Sequence, residues 1–263
     1  MSRNLHQYYY KDYFGEKPEE IIDPEDRQNR RKVNARLDWM NIKTNKANPR
    51  ILQKRNARLT EGGLLYVIEK PIETEDVFSL EIAYPGLVTG IGINHEATIE
   101  GEFKLGVHFD WTYGMPIIYG SSVKGVLKSY FKEFYKPKEN QPLAEDAIED
   151  IFNGGKKSIY HRDVFFDAVI TNADRKGRIL CSDSITPHTP HGDNPLKNPV
   201  PITFLKVAPG CKLQFRFKLA KTEIVKEGKS FTLSVQDKLE IFKDILTTVG
   251  IGAKTNVGYG QLK

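Results

Sequence analysis

The stretch GIGAKTNVGYGQLK, Gly250–Lys263, decides how the rest of the chain is read. Glycines at 250, 252, 258 and 260 surround one lysine, Lys254, which suggests a nucleotide loop. A Walker A loop needs G-x-x-x-x-G-K-[ST] after a strand and at the start of a helix. Here Ala253 precedes Lys254-Thr255, and a helical pattern comes before the run. The dinucleotide fingerprint fails on the same order of elements. What remains is backbone: glycines that permit positive φ and close approach of another chain. Exposed N–H groups there can hold phosphate, with Lys254 adding a point charge. The plainer reading is a helix C-cap at Gly250 followed by a tight turn, which leaves the other glycines unexplained. Gly250 to Gly260 therefore reads as a rigid, close-packing loop that feeds a last core strand.

Working outward, Ser234 reads as the cap of a helix over 235–249, with Asp237 three residues on and an apolar face of Val235, Leu239, Phe242, Leu246 and Val249. Val77 to Pro85 alternates like a strand. The segment 86–109 is glycine-rich and reads as a long loop or hairpin. Ile117 and Ile118 read as a short extended piece. Gly120 then gives a turn, with Ser121 or Ser122 as a helix N-cap. Val123, Val126, Leu127, Tyr130, Phe131 and Phe134 recur at helical spacing, and Lys124, Lys128 and Lys132 fall on one stripe. Pro142 to Phe152 reads as a second helix ending at Gly154-Gly155. Asp163–Thr171 and Arg178–Thr186 read as one hairpin, and 202–208 with 212–220 as another. KTEIVKEGKS (Lys221–Ser230) reads as a polar linker. Two helices separated by antiparallel hairpins, with a strand at each end, fit an α+β, ferredoxin-like (RRM-like) arrangement with long loop insertions.

The chain has 263 residues, 39% hydrophobic and 28% charged, which suits a globular protein of one or two domains. No apolar run is long enough to span a membrane, and the start lacks a secretory core. Cys181 and Cys211 are the only cysteines. They read as small buried hydrophobes in a reducing, cytoplasmic compartment. The net charge is +5, and it is unevenly spread. Arg27, Arg30, Arg31, Lys32, Arg36, Lys43, Lys46, Arg50, Lys54, Arg55 and Arg58 face only Asp26 and Asp38 between 26 and 60. Such a basic segment suits a phosphate backbone, and the alternative is a solvated helix face. Residues 1–75 thus read as a basic N-terminal extension, and 76–263 as the main domain. Tyr8, Tyr9, Tyr10 and Tyr13 could stack on bases, but packing on the main domain is the preferred reading.

Gly120-Ser121-Ser122 at a helix start offers free N–H groups and two hydroxyls at the positive end of the dipole, with Lys124 and Lys128 nearby. That is an anion site; a well-capped helix with lysines in solvent is the alternative. Gly125 inside the helix costs about 1 kcal/mol against alanine and suggests a closely packed backbone.

These two glycine-bearing segments resemble the RAMP superfamily of CRISPR-associated proteins. The usual wording at the first is P-x-I-P-G-S-S-[LIV]-K-G-x-[LIV]-R; here Tyr119 stands where proline is common and Lys128 where arginine is common. Gly86–Glu96 (GLVTGIGINHE), the D-x-x-T-P-H from Asp183 and the P-V-P-I-x-F-L-x-V from Pro199 are similar to the sixth-subunit family of type III-B (Cmr) RNA-guided complexes. The resemblance covers about 77–263. It implies an RRM-like core in an antiviral effector complex, non-catalytic and without cofactors. The partners implied are CRISPR RNA, gripped towards its 3′ end, complementary target RNA, and other RAMP subunits. On the residues of this chain, the RNA contacts would be Gly120, Ser121, Ser122, Lys124, Lys128, Gly252, Lys254 and Thr255, with Arg30, Arg31 and Arg55 from the basic extension. The resemblance also implies the glycine loop against the first helix, at Gly125. Some relatives are metal-independent ribonucleases that process the guide precursor. His95 and Asp110 are the candidates that such chemistry would use here. His188 and His191 lack a convincing four-ligand set for zinc.

Overall fold

The computed structural model describes residues 4–12, 49–61, 76–90, 101–112, 114–155, 157–186 and 201–263. Along the chain, α1 (Leu5–Gln7), a π-helical turn Tyr8–Asp12 and α2 (Pro49–Thr60) precede β1 (Asp76–Glu81). Short strands β2 (Lys104–Leu105), β3 (His108–Phe109) and β4 (Pro116–Ile118) lead into α3 (Gly120–Phe134). After α4 (Ala144–Ile148) and its π-helical continuation Glu149–Asn153 come β5 (Val164–Phe165), β6 (Ala168–Asn172), β7 (Leu180–Ile185), β8 (Ile202–Val207) and β9 (Lys212–Lys218). The hairpin β10 (Thr222–Lys226) and β11 (Lys229–Leu233) is followed by α5 (Val235–Val249). The mixture of helices and largely antiparallel sheets is α+β. Among the described residues no helix is long and apolar enough to cross a membrane.

The chain forms two compact units that interleave in sequence. The first takes residues 1–67, 90–116 and 175–208, and the second 68–89, 117–174 and 209–263.

In the second unit β9 is the organising strand. Its sequence KLQFRFK buries Leu213, Phe215 and Phe217 and leaves the residues between them at least partly exposed. That two-residue period places one face on a core. β9 pairs antiparallel with β1, from Asp76↔Phe217 to Glu81↔Lys212, and with β6 through Val169↔Gln214. β5 extends the pairing at Phe165↔Phe217, and β4 lies antiparallel on β6 through Ile117↔Val169. On the other side of β1, Leu262 bridges Ile82, and Glu81 and Lys263 exchange backbone hydrogen bonds of 2.8 and 2.9 Å. The order is therefore Leu262, β1, β9, β6, β4.

The helices of this unit bury the stripes that their sequences present. Val123, Leu127 and Phe131 are buried on α3, and Phe242, Ile245 and Leu246 on α5. Phe152 stacks on Phe165 at 5.5 Å, and Phe217 meets Phe242 at 5.4 Å. Ser234 and Asp237 form a full capping box at the start of α5, as expected from their spacing. The α4 segment ends at Gly154 in a left-handed conformation, also as expected. Among the described residues one charged pair lies wholly inside: Lys238 Nζ donates to Asp163 Oδ2 and to the Ala220 carbonyl, each at 2.6 Å, with both side chains 0% exposed. Burial pulls the Lys238 pKa down, and the Asp163 carboxylate opposes that shift.

In the first unit β8 pairs antiparallel with β7, from Leu180↔Val207 to Ile185↔Ile202, and parallel with β2 at Leu105↔Leu205. Tyr8 and Tyr9 are buried, and Tyr9 donates its hydroxyl to the Phe103 carbonyl at 3.0 Å. Tyr9 thus packs on residues of the 76–263 segment; Tyr10 is half-buried, and Tyr13 lies outside the described residues. The basic segment ends in the helix α2, whose Leu59 is buried and whose Arg58 lies over the Tyr8 ring at 5.7 Å.

Three expectations about strand pairing change. The strand at Arg178–Thr186 is not the partner of Asp163–Thr171: β7 pairs with β8 across the proline-rich excursion, and β6 with β9 and β4. Likewise 202–208 and 212–220 do not form a hairpin, because β8 pairs with β7 and β2 while β9 serves β1, β5 and β6. The polar linker at 221–230 is a hairpin, β10 against β11, with Glu227 and Gly228 both at positive φ. Two adjacent positive-φ residues are what a tight two-residue hairpin turn requires. Cys211 is buried, as expected, but Cys181 is only half-buried.

Candidate functional site

The first expected site stands at the head of α3. Tyr119 is the N-cap and Gly120 the first helical residue, so neither Ser121 nor Ser122 caps the helix. Gly120 is buried because the chain passes beneath Phe165: a Cβ at Gly120 would lie 2.2 Å from the Phe165 carbonyl oxygen. Its N–H donates to Asp167 Oδ1 at 2.6 Å, so a carboxylate of the protein already sits at this positive helix end. The Ser122 and Val123 amides both donate to the Tyr119 carbonyl. Ser121 and Ser122 are exposed. The lysine stripe is partly used by the fold. Lys124 Nζ lies 5.9 Å from the Phe165 ring, Lys128 donates to Asn153 Oδ1 at 2.8 Å, and Lys132 pairs with Glu145 at 2.7 Å. Gly125 is exposed, and an added Cβ would meet nothing within 4 Å. The expected close packing at Gly125 is therefore absent; its place is on the outer side of the helix.

The second expected site, the loop after α5, packs on the turn that follows β1. The Ala253 N–H donates to the Val88 carbonyl at 2.7 Å, the Gly260 N–H to Gly86 at 2.8 Å, and the Ile251 N–H to Gly260 at 2.9 Å. A Cβ at Gly252 would fall 2.4 Å from the Val88 oxygen, and one at Gly260 1.9 Å from the Ile251 oxygen. Both glycines have positive φ, +100° and +72°. The close approach inferred from the sequence is thus present, but its partners are Leu87, Val88 and the loop itself rather than α3. Lys254 is left-handed at φ +63°, exposed, and heads a 3-10 turn Thr255–Val257. Thr255 is half-buried and Gly252 exposed.

Strand register separates the two sites. Phe165 lies level with Phe217 and so with Asp76 at the start of β1, whereas the loop joins the sheet at and beyond Ile82. Six residue steps of strand, about 20 Å, separate the two levels, and two strand spacings add about 10 Å sideways. The two sites cannot grip the same phosphate.

The remaining candidates are scattered. Arg55 lies half-buried on α2, in the first unit. Arg30, Arg31, His95, His188 and His191 lie outside the described residues. Asp110 sits in the turn after β3, where Oδ1 accepts the Thr112 N–H at 2.7 Å. Burial lowers the pKa of nearby His6, and the Asp110 carboxylate opposes the shift. Asp167 is the residue that sequence reading missed. Only its position two residues beyond Phe165, level with the helix start, gives it a role, and register is not visible in the chain.

A family model, the RAMP superfamily, matches residues 79–263. The chain belongs to the RAMP superfamily. Both glycine segments fall inside the match. A curated relative, the "CRISPR system CMR subunit Cmr6" of Saccharolobus solfataricus, is 31% identical over 159 residues, 60% of this chain and 48% of the relative. The chain spans about half the length of that relative. Among solved structures, a chain of "Cryo-EM structure of the Type III-B Cmr-beta bound to cognate target RNA" matches at a TM-score of 0.50 and 21% identity, covering 71% of this chain and 57% of that one. That likeness concerns the fold. A chain of "Crystal structure of Cmr6 from Pyrococcus furiosus" covers 71% of this chain and 96% of that chain at 19% identity, but its TM-score of 0.33 says nothing about the fold.

Proposed function

We propose that the chain is a non-catalytic RNA-binding subunit of a type III-B CRISPR RNA-guided effector complex, acting in the cytoplasm in antiviral defence. It contacts guide RNA towards its 3′ end, with complementary target RNA, and neighbouring RAMP subunits. The observation that carries the reading is the loop Gly250–Gly260. Its backbone is held by hydrogen bonds to Gly86 and Val88, it contains no acidic residue, and it presents Lys254 to solvent. The 31% identity to the curated relative and the target-RNA-bound complex among the structural neighbours support it. We read the second unit as ferredoxin-like, with 76–263 as the RAMP domain. The strand order Leu262, β1, β9, β6, with α3 and α5 in the two connections, supports this. The half-buried Arg55 on α2, Arg30 and Arg31 remain candidate contacts from the basic extension.

The reading predicts binding of single-stranded guide-like RNA that weakens about tenfold or more between 50 and 200 mM salt, as three phosphate contacts would require. Affinity unchanged over that range would sink it. Lys124→Glu combined with Lys254→Glu should weaken binding alike for all sequences, with the circular dichroism spectrum unchanged. Asp110 Oδ1 is already engaged by the Thr112 amide, which does not favour it as a base. Incubation of the purified chain with labelled repeat RNA in EDTA tests the ribonuclease alternative, and a specific cleavage product would establish it.

A further inference from the structure

We infer that Tyr84 is a base-stacking platform, so that the glycine loop holds a nucleotide by its base as well as by its phosphate. This rests on the RNA reading above and adds a residue and a mode of contact to it. Tyr84 is 86% exposed, the most open large apolar side chain among those described, yet it does not sit on a loose loop. On one side, the Ala83 N–H donates to the Gln261 carbonyl at 2.9 Å; on the other, the Gly86 carbonyl accepts the Gly260 N–H at 2.8 Å. Between them, Pro85 lies against Gly258. The backbone that carries the ring is thus fixed to the loop that carries Lys254. Val257, next to Gly258, is 68% exposed and widens the apolar surface. The Val257 N–H donates to the Lys254 carbonyl at 3.1 Å, which ties the lysine to the same turn.

The surroundings select the ligand. No acidic residue occurs in 82–90 or in 250–263. Glu81, the nearest in sequence, pairs with Lys263 at 3.1 Å. Lys254 has no ion pair among the described residues, so its charge faces solvent. A protein-binding hot spot lies in a well-packed pocket shielded from water. Tyr84 is instead 86% exposed between Ala83 and Pro85, and Val257 is flanked by Asn256 and Gly258 on the turn that carries Lys254. An aromatic face beside one cation and polar backbone is the chemistry that takes a stacked base and its phosphate, with little sequence preference.

The test measures binding of the full chain by fluorescence anisotropy, with a uridine 12-mer and a 12-mer of the same backbone lacking bases. The wild type should prefer the uridine strand. Tyr84→Ala should weaken uridine binding about 5- to 150-fold and abolish the preference, with the salt slope and Tm unchanged, while Tyr84→Phe keeps the preference. Lys254→Ala should lower the salt slope by about 0.7 and leave the preference. If the wild type binds RNA and Tyr84→Ala binds equally well, the platform is refuted and the RNA reading stands. Loss of a neighbouring subunit from Tyr84→Ala at unchanged RNA affinity would assign the ring to protein contact instead. A wild type that binds neither strand refutes both.

Discussion

A methyl carbon added at Gly260 would lie 1.9 Å from the Ile251 carbonyl oxygen, whereas one added at Gly125 would touch nothing within 4 Å. Both glycines belong to segments that carry the family resemblance, and they answer to different forces. In the loop after α5, glycine is imposed by left-handed backbone and by carbonyls at its surface. At the head of α3, Gly120 is imposed by one carbonyl, while Gly125 has no steric reason in this chain. A shared motif therefore does not mean a shared cause. The difference extends to charge: Asp167 occupies the amide end of α3, and the loop contains no acidic residue of its own.

The comparison can be broken at each of these points. Gly260→Ala combines a strained φ with an overpacked contact and should cost about 3–4 kcal/mol, seen as a fall of about 10 °C in a thermal melt. An unchanged melt would show that the loop is not fixed as described. Gly120→Ala keeps an ordinary helical φ and meets the backbone of Phe165 and Phe166, so about 2 kcal/mol is expected in denaturant titration. Gly125→Ala should stabilise by up to about 1 kcal/mol, because helix propensity is gained at no steric cost. A loss there would reveal a neighbour in the assembled state if it appeared only with partner subunits present. Asp167→Asn should cost about 0.5–1 kcal/mol by weakening the charge at the helix end. If α3 holds a phosphate, the same change should also tighten RNA binding, because a competing negative charge is removed.

Local rules were legible in the chain. The capping box at Ser234 and Asp237, the buried stripe of α3 and the glycine stop at Gly154 all depend on residues within a few positions of one another. Partnership between strands was not. β6 and β7 are neighbours in sequence, but the register that pairs β7 with β8 is set by burial of Leu205 and Val207, which lie beyond a long excursion. The β10–β11 segment reads as a linker because Lys221, Glu223, Lys226, Glu227 and Lys229 crowd it with charge, and Glu227 does not announce a left-handed conformation. The site was half legible. Spacing identified the loop and Lys254, while Asp167 and Tyr84 acquire their places only through contacts between distant segments.

Lys238 and Asp163 give the second unit something that its phenylalanines cannot. Apolar rings tolerate small slips against one another, since one contact replaces another at similar energy. An ammonium with no exposure does not: turned by one residue, α5 would bury its charge away from Asp163 and the Ala220 carbonyl. Breaking a buried pair in this way costs about 3–5 kcal/mol. The pair therefore acts as a key in a slot, admitting one seating of α5 and, through Gly250 at its end, one phase for the loop that follows.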